Sequence, residues 1–153
     1  MDVLLDFVDP GRLCDGDLSL ALLEQIPANP EKGWVPYYHF GMMLDGIASH
    51  VGTIDLRLGA TAFMVTYGGQ VGYGVEPAFR RRRLAARSLC LLRPLARRHG
   101  LSPLWITCDP DNMASRRTCE LAGAVLVGVV DLPSDCDMYR DGDRYRCRYR
   151  LQT

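Results

Sequence analysis

The stretch VGYGVEPAFRRRRLAARSLCLLRPLARRHGLSPLWITCDPDNMASRRTCE, from Val71 to Glu120, decides the fold. Its apolar runs and turn-forming residues follow one another in the order expected of alternating strands and helices. The predicted order is a strand that ends at Val75, a basic turn after Pro77, a helix from about Arg83, a strand through Trp105 to Cys108, and a second helix opened by Asp111 and Asn112. This is a βαβα unit.

Four consecutive arginines, Arg80 to Arg83, lie where the first of these helices begins. The helix macrodipole already places partial positive charge at that end, so each cation there is unfavourable by roughly a few tenths to 1 kcal/mol. A bound anion would reverse that sign, because unpaired backbone N–H groups at a helix start, reinforced by guanidinium groups, suit a phosphate or pyrophosphate. The alternative is that the four side chains extend into solvent. Position alone does not choose between the two.

The stretch resembles the acyl-CoA-binding core of the GNAT N-acetyltransferase superfamily. The loop of that family has the pattern Arg/Gln-x-x-Gly-x-Gly/Ala after a strand that ends in Val-x-Pro. Residues 80–85 occupy this pattern here and follow Val75, Glu76 and Pro77. Asn112, Ser115 and Gly123 match the family's Asn-x-x-Ala/Ser and the Gly near the end of the following helix. The close match covers about a third of the chain, and loop, strand and helix occur in the family's order.

The resemblance implies an α+β fold in α/β/α layers, with a mixed central β-sheet, a splayed central strand and flanking helices. It implies acetyl-CoA as the cofactor, and transfer of its acetyl group to a primary amine of a small molecule or peptide. In the family the central strand, here the one with Gly74 and Val75, leaves its neighbour and pairs with the pantetheine arm. The residues expected to bind the cofactor are Val75, Arg80, Arg81, Arg82, Arg83, Leu84, Ala85, Ala86, Asn112 and Ser115.

Two positions depart from the family pattern. Arg83 replaces the first loop glycine, which lets the backbone approach the pyrophosphate and tolerates unusual dihedral angles. An arginine there either keeps a helical backbone and brings its side chain to a phosphate, or obstructs the cofactor. Cys119 stands where many members have a tyrosine that reprotonates the CoA thiolate. It is either a replacement proton donor, since its reference pKa is close to that of a thiol leaving group, or a small buried apolar residue.

The acceptor side is expected from two strands that precede this unit. The segment Trp34 to Leu44 is dense in aromatic residues, which belong either to the core or to the wall of an acceptor pocket. The expected substrate contacts are Tyr38, His39, Asp55 and Arg57. The last two share one face of the predicted strand His50 to Leu58, which is alternatively a solvated face. Candidates for the base are Glu76, His39 or a water held by Asp55, and candidates for the proton donor are Tyr139, Cys119 or water.

The flanking segments carry weaker signals. Val3 to Val8 is predicted as a first strand, and Leu18 to Ile26, which has apolar residues on a helical period after Asp17, as a helix. Pro94 is expected to kink or interrupt the helix that Gly100 ends. Ala124 to Leu132 and the alternating RYRCRYRL segment, residues 144–151, are predicted strands, the latter at or next to the edge of the sheet, where it could pair across a homodimer.

Composition narrows the functional classes. At 153 residues the chain is expected to form a single domain, residues 1–153. Because 18 basic and 18 acidic residues balance, no global charge favours nucleic acid or a membrane surface. The six cysteines show no metal-ligand spacing, and the N-terminus does not resemble a secretory signal. We therefore expect a cytoplasmic protein without a metal. The alternatives to an acetyltransferase are a non-catalytic GNAT-like regulatory or binding domain and a nucleic-acid binder that uses the arginine run.

Overall fold

The computed structural model describes residues 2–153 and confirms the α+β class. The strands are β1 Leu13–Asp15, β2 Leu18–Ile26, β3 Tyr37–Leu44, β4 Gly52–Arg57, β5 Val71–Val75, β6 Leu104–Cys108, β7 Val125–Asp131 and β8 Tyr145–Leu151. The α-helices are α1 Leu84–Arg98, α2 Met113–Leu121 and α3 Asp137–Arg140. The loops contain 3₁₀ turns at Pro30–Lys32 and Pro77–Phe79 and a π-helical turn at Met64–Gly68. Among the described residues, no helix has the length and apolar character needed to cross a bilayer.

The strands form two sheets that separate at the centre of the molecule. Strands β1 to β5 pair in chain order, each antiparallel to the next, and a second sheet has the order β6-β8-β7. Gln70 joins the sheets just before β5: its N–H donates to the Trp105 carbonyl at 2.8 Å, and its side-chain oxygen accepts from the Trp105 N–H at 2.8 Å. Beyond this clamp β5 and β6 are unpaired. The predicted splayed central strand is confirmed.

Helix α1 covers one face of the five-stranded sheet. Leu84, Leu89, Leu92 and Leu95 are all buried, and the helix packs against β1, β2, β4 and β5. The helix continues as one element through Pro94, which costs the hydrogen bond to the Cys90 carbonyl but does not interrupt it. On β4 the residues on the α1 side are buried, whereas Thr53, Asp55 and Arg57 on the other side are only half-buried.

The prediction of a helix at Leu18–Ile26 is wrong, since these residues form β2. A tight turn, Asp15-Gly16-Asp17 with Gly16 at φ 58°, joins β1 to β2 as a hairpin. Leu18 and Leu20 are buried, whereas Ser19 and Ala21, which follow them in turn, are only partly buried, and this is the alternation of a strand. Strand β2 pairs with β3 from Leu18 to Ile26. Pairing in the sheet therefore overrides the helical period of the local sequence.

The predicted strand at Val3–Val8 is also wrong. This segment is an irregular strap that is tied to the end of α1. The Leu4 N–H donates to the His99 carbonyl at 2.9 Å, and the Val8 N–H donates to the Tyr38 hydroxyl at 2.9 Å. The strap therefore covers the α1 side of β3 without pairing to a sheet.

Strand β8 lies in the middle of its sheet, between β6 and β7. Both of its edges are already hydrogen-bonded, so the expected pairing of this strand across a homodimer is not available. Cys147 and Tyr149 are buried, but Tyr145 on the same face is 52% exposed because it lies at the strand end. The edge strands of this sheet are β6 and β7.

Candidate active site

A cleft of about 610 Å³ opens where β5 leaves β6, and we call it the cofactor cleft. Its walls are the end of β5, the basic turn, the start of α1 and one face of α2. Eight of the ten residues expected to bind the cofactor line it, namely Val75, Arg80, Arg81, Arg83, Leu84, Ala85, Asn112 and Ser115. Gly74, on the strand expected to pair with the pantetheine arm, also lines it, as do residues that the sequence-based prediction did not assign to the site, namely Tyr73, Phe79, Ala114, Arg117, Thr118 and Leu121.

The other two predicted cofactor residues do not line the cleft. The Arg82 guanidinium lies over the Phe79 ring, 5.3 Å from its centroid. Ala86 is buried in the core, because the first turn of α1 directs it toward the sheet. Three of the four arginines of the turn therefore line the cleft, and Arg82 packs against Phe79 instead.

The turn keeps a glycine-like backbone without glycine. Arg81 and Arg83 have φ values of 64° and 59°, in the left-handed region, which costs a non-glycine residue roughly 1–2 kcal/mol. Arg83 is the N-cap of α1, and no side chain caps the helix there. The expectation that an arginine at this position keeps a helical backbone is corrected: it adopts the conformation typical of glycine, and its side chain borders the cleft.

The start of α1 therefore presents unpaired donors to the cleft. The first N–H groups of an α-helix have no carbonyl partner within the helix, and here no capping side chain supplies one. Arg80 has a structural role in the turn. Its Nε donates to the Val75 carbonyl at 3.0 Å and so holds the turn against the end of β5. Arg81 and Arg83 line the cleft beside these N–H groups, an arrangement that suits a phosphate or pyrophosphate.

Helix α2 forms the opposite wall, and its start is fixed by a cap. Asn112 accepts a hydrogen bond from the Ser115 N–H at 3.0 Å through its side-chain oxygen, as the sequence predicts. The Ser115 hydroxyl lies 2.7 Å from the hydroxyl of Tyr73. Tyr73 thus connects β5 to α2 inside the cleft, and its burial raises the pKa of its phenol well above the ordinary value.

Cys119 lies behind this contact and does not line the cleft. It is fully buried, with its Sγ atom 3.8 Å from the Tyr73 hydroxyl, and burial raises the pKa of its thiol to about 12. Cys119 is buried in the interior, whereas Tyr73 lines the cleft, and the role of Cys119 as a proton donor stays a prediction.

Tyr139 and Glu76 are also placed outside the cleft. Tyr139 belongs to α3, where the Arg144 guanidinium stacks on its ring at 3.8 Å. Glu76 is exposed, and its backbone N–H donates to the Val51 carbonyl at 2.8 Å. Neither residue lines the cofactor cleft, and their catalytic roles stay predictions.

The opposite side of the five-stranded sheet carries a second group of polar residues, which we call the acceptor face: His39, Asp55 and Arg57. His39 on β3 is directly opposite Asp55 on β4, and its Nδ1 lies 2.5 Å from the Asp55 carboxylate. Arg57 donates to the carbonyls of Gly68 and Gly69, each at 3.2 Å. A smaller cleft of about 340 Å³ includes Asp55 and Arg57, with Trp34, Tyr37 and Phe63 as its aromatic walls.

Tyr38 does not belong to this face. Neighbouring residues of a strand point to opposite sides, and Tyr38 is fully buried on the α1 side. Its hydroxyl lies 2.7 Å from His99 Nε2 and accepts from the Val8 N–H. The expected substrate contact at Tyr38 is corrected: the residue anchors the N-terminal strap.

Strand β5 separates the cofactor cleft from the acceptor face. Asp55 is opposite Gly72 and Thr53 is opposite Gly74 in the β4–β5 register. The Arg57 guanidinium fills the space where a Gly72 side chain would be, whereas a Cβ atom at Gly74 would have no neighbour within 4 Å. A ligand can therefore approach the β5 backbone closely at Gly74, where the strand is both unpaired with β6 and without side-chain cover.

A sequence profile of the acetyltransferase (GNAT) family matches residues 18–124, which is more than two thirds of the chain. The chain belongs to the GNAT acetyltransferase family. No curated protein sequence matches it significantly. Membership of this family implies acyltransferase activity. The splayed sheet and the position of the cofactor cleft agree with that membership.

Solved structures show the same fold at low sequence identity. A probable GNAT acetyltransferase from Chromobacterium violaceum has a TM-score of 0.67 and 16% identity, over 97% of this chain and 89% of the other. A putative ribosomal-protein-serine acetyltransferase from Vibrio cholerae has a TM-score of 0.63 and 16% identity, over 98% and 99%. The microcin self-immunity acetyltransferase MccE, solved with acetyl-CoA and AMP, has a TM-score of 0.58 and 14% identity, over 76% of this chain but only 61% of its own.

Acetyl-CoA is the cofactor of the GNAT family, and the cofactor cleft has the features that such a ligand requires. The uncapped start of α1 lies beside Arg81 and Arg83, an arrangement that suits an anion. The uncovered backbone at Gly74 leaves room for an extended chain beside β5. The volume of the cleft lies within the usual range for sites of small molecules.

Proposed function

We propose that the protein is an N-acetyltransferase that moves the acetyl group of acetyl-CoA to a primary amine of a small molecule or peptide. One observation carries the proposal: the residues that the family pattern marks for cofactor binding converge on a single cleft, at the point where β5 and β6 separate. The cofactor supplies an activated thioester. The chain supplies the groups that hold the cofactor and that remove a proton from the acceptor amine.

In this proposal the diphosphate is held by the turn before α1. The Arg81 and Arg83 side chains neutralise its charge, and the N–H groups of Leu84 and Ala85 donate to its oxygens. Arg80 acts through the loop, since its bond to the Val75 carbonyl fixes the turn against β5. The arginines of the turn therefore have different roles in this proposal, and the side chain of Arg82 has no role in cofactor binding.

The acceptor amine reaches β5 from the acceptor face, and His39 is the base that takes its proton. Asp55 binds His39 at Nδ1 and thereby leaves Nε2 as the ring nitrogen that accepts a proton. A histidine oriented by a carboxylate is a common arrangement for general-base catalysis. The pair is only partly covered, with side-chain exposures of 31% and 27%, so an acceptor can reach it.

The alternative of a non-catalytic binding domain has no observation in its favour. In the form in which Arg83 obstructs the cofactor, this alternative requires a closed cleft, whereas the cleft that Arg83 lines has a volume of about 610 Å³. The aromatic walls beside Asp55 fit an amine carried by a larger group, and the similarity to a putative ribosomal-protein-serine acetyltransferase makes peptides with an N-terminal serine worth testing first.

The experiment is a transfer assay with acetyl-CoA against a panel of small amines and short peptides, with and without N-terminal serine. Release of free thiol and the added acetyl mass on the acceptor are both measured. We expect acetylation of at least one class, abolished by prior blocking of its amine. Binding of acetyl-CoA with no transfer to any amine would contradict the enzyme and favour a binding domain.

A further inference from the structure

The acceptor face carries a guanidinium group that has no carboxylate partner in the described chain. Arg57 lines the smaller cleft beside Asp55, and its Nη1 atom donates to the neutral carbonyls of Gly68 and Gly69, each at 3.2 Å. None of the ion pairs among residues 2–153 includes Arg57. Its hydrogen bonds hold a turn, but they do not neutralise its charge.

Part of this guanidinium is available to a ligand. Among the described residues, its Nε and Nη2 atoms have no hydrogen-bond partner, and they are not enclosed, because Ser88 Oγ is the one fully enclosed side-chain nitrogen or oxygen without a partner. Nη2 lies over β5, where a Cβ atom at Gly72 would be 2.7 Å from it. The available donors therefore lie on the acceptor face, two residues along β5 from the open backbone at Gly74.

Two further arginines make this region more positive. Arg146 and Arg148 on β8 donate to backbone carbonyls of the π-helical turn, and in the described chain neither belongs to an ion pair. Burial is the main cause that lowers the pKa of Arg57, and Arg146 acts in the same direction, against Asp55. A guanidinium stays charged in a protein, so a carboxylate bound here would offset the cost of burying that charge.

Asp55 and Arg57 together match a zwitterion. They have opposite charges and are two residues apart on one face of β4, a separation of about 7 Å along the strand. An ammonium and a carboxylate on one carbon, each with a hydrogen bond of about 2.9 Å to its partner, span a similar distance. Such a ligand places its ammonium beside the pair of His39 and Asp55 and its carboxylate at Arg57.

The walls of the smaller cleft fit a flat apolar group. Trp34, Tyr37 and Phe63 line the cleft together with Met64. Trp34 and Phe63 are each 46% exposed, so their rings offer apolar area that a ligand would cover. A mainly apolar wall with a few charged groups that fix orientation is the usual composition of a small-molecule site.

We propose that the acceptor is a free amino acid with an aromatic side chain, and that Arg57 binds its α-carboxylate. The inference rests on the proposed function, since it names the acceptor of the same transfer. The first residue of a peptide has an amide in place of this carboxylate, so the proposal separates free amino acids from peptides.

The transfer is balanced in bonds and protons. The amine nitrogen bonds to the carbonyl carbon of the thioester, the carbon–sulfur bond breaks, and its electron pair remains on sulfur. The ammonium form of the acceptor loses two protons in all: one passes through His39 to solvent, and one ends on the sulfur. The products are an N-acetyl amino acid and a free thiol. Arg57 holds the carboxylate and takes no part in proton transfer.

The test compares acceptors that differ only at the carboxylate. Phenylalanine, tyrosine and tryptophan are each assayed with the full chain as the free acid and as the α-amide, with release of thiol and product mass as the readouts. Alanine, phenylethylamine and short peptides that begin with serine or phenylalanine complete the panel. The variants are Arg57→Gln and Arg57→Lys. Arg148→Gln is the matched control, because Arg148 also donates to the π-helical turn but does not line the smaller cleft.

We expect kcat/KM of the native chain to be about tenfold to a hundredfold higher for the preferred aromatic acid than for its amide, because a hydrogen bond to a charged group is lost with the carboxylate. Arg57→Gln should abolish this ratio by lowering kcat/KM for the acid alone. Arg57→Lys should retain part of the ratio, and Arg148→Gln all of it. If Arg57 merely holds the turn, its loss lowers both rates and leaves their ratio unchanged.

The contrary results are distinct. An amide that is acetylated as well as its acid by the native chain would overturn the inference, and this comparison needs no variant to fold. A native acid-to-amide ratio in Arg57→Gln, a kcat/KM for alanine equal to that for the aromatic acids, or transfer only to amines and peptides that lack the carboxylate would also overturn it, and each leaves the proposed function intact. No transfer to any amine of the panel would overturn the proposed function, and the inference with it.

Discussion

The cofactor cleft and the acceptor face lie on opposite sides of β5 and are built in different ways. The cleft is formed largely by backbone, since the uncapped start of α1 and the bare strand at Gly74 provide its main features. The acceptor face depends on side chains from separate strands, above all His39 and Asp55. Changes in the cleft should therefore alter cofactor affinity, whereas changes on the acceptor face should alter the rate of transfer.

The largest expected effect is on the acceptor face. His39→Ala should lower kcat by about 10²- to 10⁴-fold, because a positioned general base contributes in that range. The KM for acetyl-CoA should not change, since His39 is across β5 from the cofactor cleft. Steady-state kinetics with an identified acceptor measures both quantities.

His50→Ala is the matched control, because His50 is exposed and lies outside the pair with Asp55. It should retain the native kcat. The division between the two sides of β5 would be contradicted by an equal loss in His50→Ala, or by a loss of acetyl-CoA affinity in His39→Ala.

A smaller effect is expected at Gly74. Gly74→Val places a side chain beside the strand where the structure has open space, and valine favours strands, so the free energy of unfolding should not fall. Acetyl-CoA affinity should fall about tenfold or more, a difference of about 1.4 kcal/mol, because the side chain occupies the approach to β5. Isothermal calorimetry and a thermal melt measure the two effects.

Gly128→Val provides the control, since Gly128 is also a strand glycine with open space at its Cβ position, but on β7. It should bind acetyl-CoA like the native chain. Equal affinities of Gly74→Val and the native chain would show that the cofactor does not approach β5 here.

The smallest effect concerns the turn itself. Arg83→Gly should raise the free energy of unfolding by up to about 1 kcal/mol, because a strained left-handed residue becomes glycine, which adopts that region freely. Chemical denaturation measures the change. Arg82→Gly is the matched variant in the same turn, and as Arg82 is not in the left-handed region, glycine there should give no gain. An equal rise in the free energy of unfolding in both variants would show that the backbone of Arg83 is not strained.

The sequence predicted the cofactor cleft better than the acceptor face for a physical reason. The strand, turn and helix of residues 71–98 are contiguous, and α2 is close in sequence, so local signals such as the Asn112 cap suffice to place them. His39 and Asp55 meet only because β3 pairs with β4 in one register. That register is a property of the tertiary structure. A shift of β3 by one residue would have placed Tyr38, instead of His39, on the acceptor face.

The wrong predictions have the same origin. Leu18–Ile26 satisfies a helical period and a strand alternation at once, and only pairing with β3 decides for the strand. The Asp15-Gly16 turn signal was available in the sequence and favours a hairpin. Tyr73 was missed because nothing in a strand sequence shows that its hydroxyl meets Ser115, 42 residues further along the chain.

The central claim, that acetyl-CoA binds in the cofactor cleft with its phosphates on the turn before α1, is tested most directly by calorimetric titration. Native protein, an Arg81→Ala, Arg83→Ala double variant and Arg97→Ala are each titrated with acetyl-CoA, the last being an exposed arginine at the far end of α1. We expect saturable binding to the native chain and to Arg97→Ala, and a loss of about tenfold to a hundredfold in the double variant. Absence of binding to the native chain, or equal affinity in the double variant, would contradict the claim.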